Sequence, residues 1–124
     1  MKERLKQLLA IPGESRFIEF KRLGETGSSP NKKILQSIVA MANTDGGILV
    51  LGIDDPEKGS KIPDNRIYGI EESLERYDEI GREIENIKPP IPGLWSNQDI
   101  IPFNDTKRIA VIHIPKSMEK FSEN

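Results

Sequence analysis

The sequence predicts a mixed α/β (α+β) domain, a mixed β-sheet with helices packed on it. Three stretches carry that reading. "ILVLGI" (48–53) is apolar on both faces, "RFIEFK" (16–21) alternates with a period of two, and "KKILQSIVAMAN" (32–43) repeats its apolar residues at helical spacing. A chain of 124 residues is long enough for one hydrophobic core and too short for two, so residues 1–124 are read as a single domain.

Lys2 to Leu9 reads as a short helix with Leu5, Leu8 and Leu9 on one side, stopped by Pro12-Gly13. In the strand that follows, Ile18 and Phe20 share one face, and Phe17, Glu19 and Lys21 the other. "GETGSSPN" (24–31) is loop chemistry, with Ser29 or Asn31 available to cap the next helix. That helix, Lys32 to about Asn43, carries Ile34, Leu35, Ile38, Met41 and Ala42 in one wide stripe. Asp45-Gly46-Gly47 ends it, because glycine accepts the positive φ that a helix C-terminus often requires. "ILVLGI" is then a central strand covered on both sides, and "DDPEKGSKIPDN" (54–65) a long turn. A short strand at Arg66–Ile70 follows. A helix from Glu72 to Ile87 turns Leu74, Tyr77, Ile80, Ile84 and Ile87 inward and its acidic residues outward. "KPPIPG" (88–93) breaks it. Two last strands, around Leu94–Ile101 and Arg108–Ile114, are joined by "PFNDTK" (102–107). The expected order is α-β-α-β-β-α-β-β.

Composition narrows the chemistry. There is no cysteine, which removes disulfides, zinc–thiolate centres and thiol catalysis together. No apolar run approaches the roughly 20 residues of a membrane helix, and "MKERLKQLLA" lacks the apolar core of a secretory signal, so a cytoplasmic location and no membrane partner are expected. The net charge of −2 is unevenly spread. Through Lys33 the chain has eight Lys/Arg against four Asp/Glu, and beyond it ten against sixteen. A polyanionic partner is therefore expected at the N-terminal part.

No phosphate-cradling G-x-x-x-x-G-K-[ST], no G-x-G-x-x-G and no H-E-x-x-H occurs. The single histidine, His113, lies in an aliphatic strand and reads as a structural or partly exposed strand residue. Carboxylates remain. Glu14 precedes the first strand, Glu19 lies within it in an E-x-K arrangement with Lys21, and Asp54 and Asp55 end the central strand. Metal-dependent phosphodiesterases use such groups, carboxylates holding Mg²⁺ or Mn²⁺ and a lysine stabilising transition-state charge. The same region also suits binding. Lys21, Arg22, Lys32 and Lys33 flank the "LGETGSSPN" loop, where phosphates can be met by cations and by amides near a helix start.

Taken together, "ESRFIEFKR", "ILQSIVAMANTDGGILVLGIDD", "YGI", "PPIP" and "RIAVIHIPKS" resemble the Schlafen AlbA-like domain family over about Leu8 to Ser117. The resemblance implies a DNA-binding domain, also described as divergent AAA-type, found at the N-terminus of many prokaryotic transcriptional regulators. It also brings Asp54 or Asp55 towards the E-F-K strand. In vertebrate Schlafen relatives two glutamates five apart and a later aspartate cleave tRNA-like RNA. Glu14 and Glu19 match that spacing, and Asp54 or Asp55 is the third member to expect.

The expected function is therefore nucleic-acid binding, DNA favoured over RNA, as a module of a longer regulator, with no cofactor required. Lys21, Arg22, Lys32 and Lys33 are the expected phosphate contacts. The alternative is a Mg²⁺- or Mn²⁺-dependent ribonuclease using Glu14, Glu19 and Asp54 or Asp55, with Lys21 assisting. A third reading is a structural dimerisation module, with a homodimer formed through an exposed sheet edge.

Overall fold

The apolar segment 48–53 does become the middle of the sheet. The structure, a computed structural model, describes residues 18–24, 31–55, 63–116 and 122–123. Within them lie strand β1 (Ile18–Lys21), helix α1 (Asn31–Ala42), strand β2 (Gly47–Leu51), helix α2 (Leu74–Glu83) and strands β3 (Ile87–Lys88), β4 (Asp99–Pro102), β5 (Arg108–Ile114) and β6 (Ser122–Glu123). Four strands form one sheet in the order β1-β2-β5-β4, and β3 pairs with β6 in a second, two-stranded one. β1 and β2 run parallel, which requires a crossover, and α1 lies in that connection. β2–β5 and β5–β4 are antiparallel. The expected helix over Lys2–Leu9 lies outside the described residues.

β2 is buried on both faces because each face meets its own apolar cluster. Leu49 and Leu51 join Ile34, Leu35, Ile38, Met41 and Ala42 of α1 and Ile80 of α2. Val50 joins Ile18 and Phe20 of β1, Ile109 and Val111 of β5, and the bridged pair Ile53 and Ile67. The whole predicted stripe of α1 is buried. The helix ends at the aspartate-glycine turn, where Gly46 has φ +77° and donates to the Met41 carbonyl at 2.8 Å.

Three boundaries differ from the sequence reading. No strand forms at Arg66–Ile70: Pro63–Arg66 and Ile70–Ser73 are 3₁₀ turns, and only the bridge Ile53–Ile67 is strand-like. The cause is Gly52, whose carbonyl accepts from both Tyr68 N–H and Gly69 N–H at 2.9 Å and so curls the segment off the ladder. The second helix is confined to Leu74–Glu83, capped by Ser73, whose hydroxyl accepts from Arg76 N–H. Leu74 is 45% exposed rather than inward, and Ile87 passes into β3. The strand expected from Leu94 begins only at Asp99, because Gly93 (φ +74°) opens a turn closed by Asn97 N–H to Gly93 O. The turn lays Trp95 against α2, where a Cβ on Gly81 would stand 2.7 Å from the indole. The two-residue strand β6 had no counterpart in the sequence reading.

Candidate nucleic-acid interface

β1 places its side chains by register. Glu19 is opposite Leu49 and Lys21 opposite Leu51, so both project on the helix-bearing face while Ile18 and Phe20 take the other. That location half-buries both. They make no ion pair with each other: one carboxylate oxygen of Glu19, Oε2, is buried with no hydrogen-bond partner. An E-x-K pair on a solvated strand face is therefore not what forms.

Past the end of β1 the chain is held by α2 and the turn before it. Glu72 accepts from Arg22 Nε at 2.9 and 3.0 Å and from Arg22 Nη2 at 2.6 Å, and its Oε1 also takes Gly24 N–H at 3.0 Å. The Arg22 guanidinium lies 3.6 Å over the Tyr68 ring centroid. Hydrogen bonding to Arg22 holds the Glu72 carboxyl below the ordinary carboxylate range, and the same contact raises Arg22. In the first turn of α2, Arg76 ties Leu23 to Asn31. It donates from Nη1 to Leu23 O and from Nε to Asn31 Oδ1, and Asn31 in turn donates to Glu79 Oε2. Glu72 and Glu79, read from sequence as outward acids, are thus turned onto β1 and α1.

This lashing brings the exit of β1 beside the entrance of α1. Lys32 and Lys33 stand exposed in the first turn of α1, and Lys21 precedes the latched Arg22. None of these three lysines has an ion pair among the described residues, whereas Arg22 is already matched by Glu72. Asn31, expected as a cap, is the first helical residue and serves instead as a partner of Arg76.

The carboxylate set is less gathered. Glu14 lies outside the described residues. Asp54 and Asp55 follow β2 by three and four residues, whereas Glu19 is registered opposite Leu49, earlier in that strand. Asp54 accepts Asp55 N–H on its Oδ1 at 3.1 Å and lies close enough to Arg22 to favour its charged form. No group of three His, Cys, Asp or Glu among the described residues is arranged to hold a metal ion. His113 is half exposed and contacts Asp99 at 2.9 Å across neighbouring strands.

Sequence reasoning overlooked Glu72, Tyr68, Arg76 and Asn31 as the frame of this end of the sheet. Tyr68 and Gly69 belong to the quoted "YGI", and Gly52 to "LGIDD". The two stretches meet backbone to backbone, a Cβ on Gly52 standing 2.9 Å from the Gly69 carbonyl carbon.

A search of curated proteins returned no match. Among solved structures, the chain is similar to the DIP2311 protein from Corynebacterium diphtheriae, at 18% identity and a TM-score of 0.52. The alignment covers 96% of this chain and 22% of that one, and shows a shared fold. No helix among the described residues is long and apolar enough to cross a membrane. The family described as "Schlafen, AlbA_2" matches residues 14–124, and the chain belongs to it.

Proposed function

We propose that the domain binds nucleic acid, DNA in preference to RNA, as a cytoplasmic regulatory module within a longer protein. One observation carries the reading: Arg76 holds Leu23 and Asn31 together, so that Lys21, Lys32 and Lys33, all without ion-pair partners among the described residues, belong to one end of the domain. Cations left unpaired beside a fixed backbone suit phosphates, which set register and supply most of the affinity. Arg22 has a different place in this scheme. Its charge is matched by Glu72, and it fastens the end of β1 to the turn before α2 more than it contacts a phosphate. The test is fluorescence anisotropy with duplex DNA and structured RNA, comparing the parent with Lys21→Gln/Lys32→Gln/Lys33→Gln. Parent binding at about 10⁻⁴–10⁻⁶ M, lost in the variant, supports the reading. Equal binding by both overturns this surface.

A second reading, the Mg²⁺- or Mn²⁺-dependent ribonuclease, is favoured by the orphaned Oε2 of Glu19, since a buried carboxylate oxygen without a donor suits a cation. The described residues alone do not complete a metal site, and no catalytic step is derived from them. Incubating structured RNA with the domain in Mn²⁺ or EDTA decides it: cleavage confined to the Mn²⁺ tube, and lost in Glu19→Gln, is the required result.

A further inference from the structure

Arg66 stands out among the charged residues because it is buried, 5% exposed, and its Nε has no hydrogen-bond partner. No carboxylate forms an ion pair with it among the described residues. A guanidinium keeps its charge in any protein environment, so burial does not neutralise it. A buried charge without a counter-charge is strongly unfavourable. Asp54, its cross-strand neighbour, forms no ion pair with it. Asp54 N–H donates to Arg66 O at 2.9 Å across the Ile53–Ile67 bridge, yet Asp54 directs its Oδ1 to Asp55 N–H.

The position adds to the charge argument. Arg66 lies just past the C-terminal end of the central strand, the end of an α/β sheet at which ligands commonly bind. Lys107 reaches the same place, donating from Nζ to Ile67 O at 3.3 Å. Lys21 ends β1 at the level of Leu51, on the strand next to it. Arg66, Lys107 and Lys21 thus stand at this end together with Asp54 and Asp55, and the fork of Arg66 has the shape that oxyanions accept in bidentate fashion.

We propose that Arg66 is the receptor for a phosphate oxyanion bound at the end of the central strand, supplied by the nucleic-acid backbone. The inference rests on the nucleic-acid reading for the source of that phosphate, and on Arg66 alone for the site. Inorganic phosphate is the direct probe. Titrating it into the parent protein should move the Arg66 Nε–H resonance in a saturable way, and an unmoved resonance overturns the site whether or not any variant folds. In a buffer without multivalent anions, Arg66→Met should melt no lower than the parent, because a buried charge with no ion-pair partner among the described residues has been replaced by an apolar chain. Phosphate should then raise the parent's Tm and leave that of Arg66→Met unchanged. Equal rises in both also overturn it. Duplex DNA affinity should fall about tenfold or more in Arg66→Met. Unchanged DNA affinity there, with binding lost in the triple-lysine variant, refutes the Arg66 contact and leaves the reading intact. A phosphate response in a parent that binds no nucleic acid does the reverse.

Discussion

Glu72 grips Arg22 through both of its carboxylate oxygens and, with one of them, also the backbone amide of Gly24. The partners are fifty residues apart and both side chains are part-buried, so the pair fastens the end of β1 to the turn that leads into α2. Charge-assisted bonds of this kind contribute about 1.5–3 kcal/mol when part-buried. Glu72→Gln keeps the shape and loses the charge, and should lower unfolding stability by about 1–3 kcal/mol in urea titration. Less than a few tenths would reduce the pair to a surface ornament.

The pH dependence follows from the same pair. Glu72 has a folded-state pKa below its unfolded value, chiefly through Arg22. Its contribution is therefore complete above the ordinary glutamate pKa of about 4.3 and is lost as pH falls through the lower folded value. Stability measured from pH 6 down to pH 3 should fall more steeply in the parent than in Glu72→Gln. Parallel curves would show that another carboxylate governs acid sensitivity.

Gly24 gives an independent handle on this contact. A Cβ there would stand 2.1 Å from Glu72 Cγ and 2.5 Å from its Cδ, so Gly24→Ala must push the carboxylate away. The side chain is flexible, and the expected damage is loss of the Arg22 contact rather than unfolding. Gly24→Ala and Glu72→Gln should each destabilise by a similar amount, and the double variant by scarcely more. Additive losses would mean that Gly24 acts elsewhere.

Gly52 and Gly69 define a stricter requirement. They have φ +102° and +83°, and a Cβ on Gly52 would meet Gly69 backbone at 2.9 Å. Neither the backbone nor the left-handed conformation can yield cheaply. Gly52→Ala should cost at least about 1–3 kcal/mol, visible as a lowered urea midpoint, and a parent-like midpoint would show that the segments can part without loss.

Legibility in the sequence follows the range of the interactions. "ILVLGI" and the stripe of α1 were readable because local periodicity and burial agree there. The break at 66–70 was not, since it depends on Gly52 O capturing two amides that are distant in sequence. Gly81 in a helix interior was a usable hint of close packing, later filled by Trp95. At the candidate site, the cations were identifiable by type and neighbourhood. What sequence could not supply was their pairing: Arg22 is matched by a glutamate that periodicity assigns to solvent, while Lys21, Lys32 and Lys33 have no such partner among the described residues.

The strand assignment itself is open to a direct challenge. Leu51 is fully buried in the cluster that joins β2 to both helices. Leu51→Asp introduces a charge with no counter-charge into that cluster, at a cost of several kcal/mol against a total stability of about 5–15. The cooperative thermal transition should disappear, and one retained near the parent's Tm would place Leu51 elsewhere.

The pairing difference among the cations sets the last expectation, a salt slope. Each phosphate contact that releases a counterion steepens the log–log dependence of duplex affinity on salt by about 0.9. Lys21, Lys32 and Lys33 should each count, so replacing all three with glutamine should flatten the slope by roughly 2.7. Arg22 should not count in the same way. Glu72 already neutralises it, and a contact that must displace an internal carboxylate releases little net counterion. Arg22→Gln should therefore leave the slope nearly unchanged while weakening affinity at every salt concentration, because the end of β1 is no longer fastened to the turn before α2. A slope reduced by about 0.9 in Arg22→Gln would show that Arg22 leaves Glu72 for a phosphate. The Glu72 pair would then be the contact that nucleic acid breaks on binding.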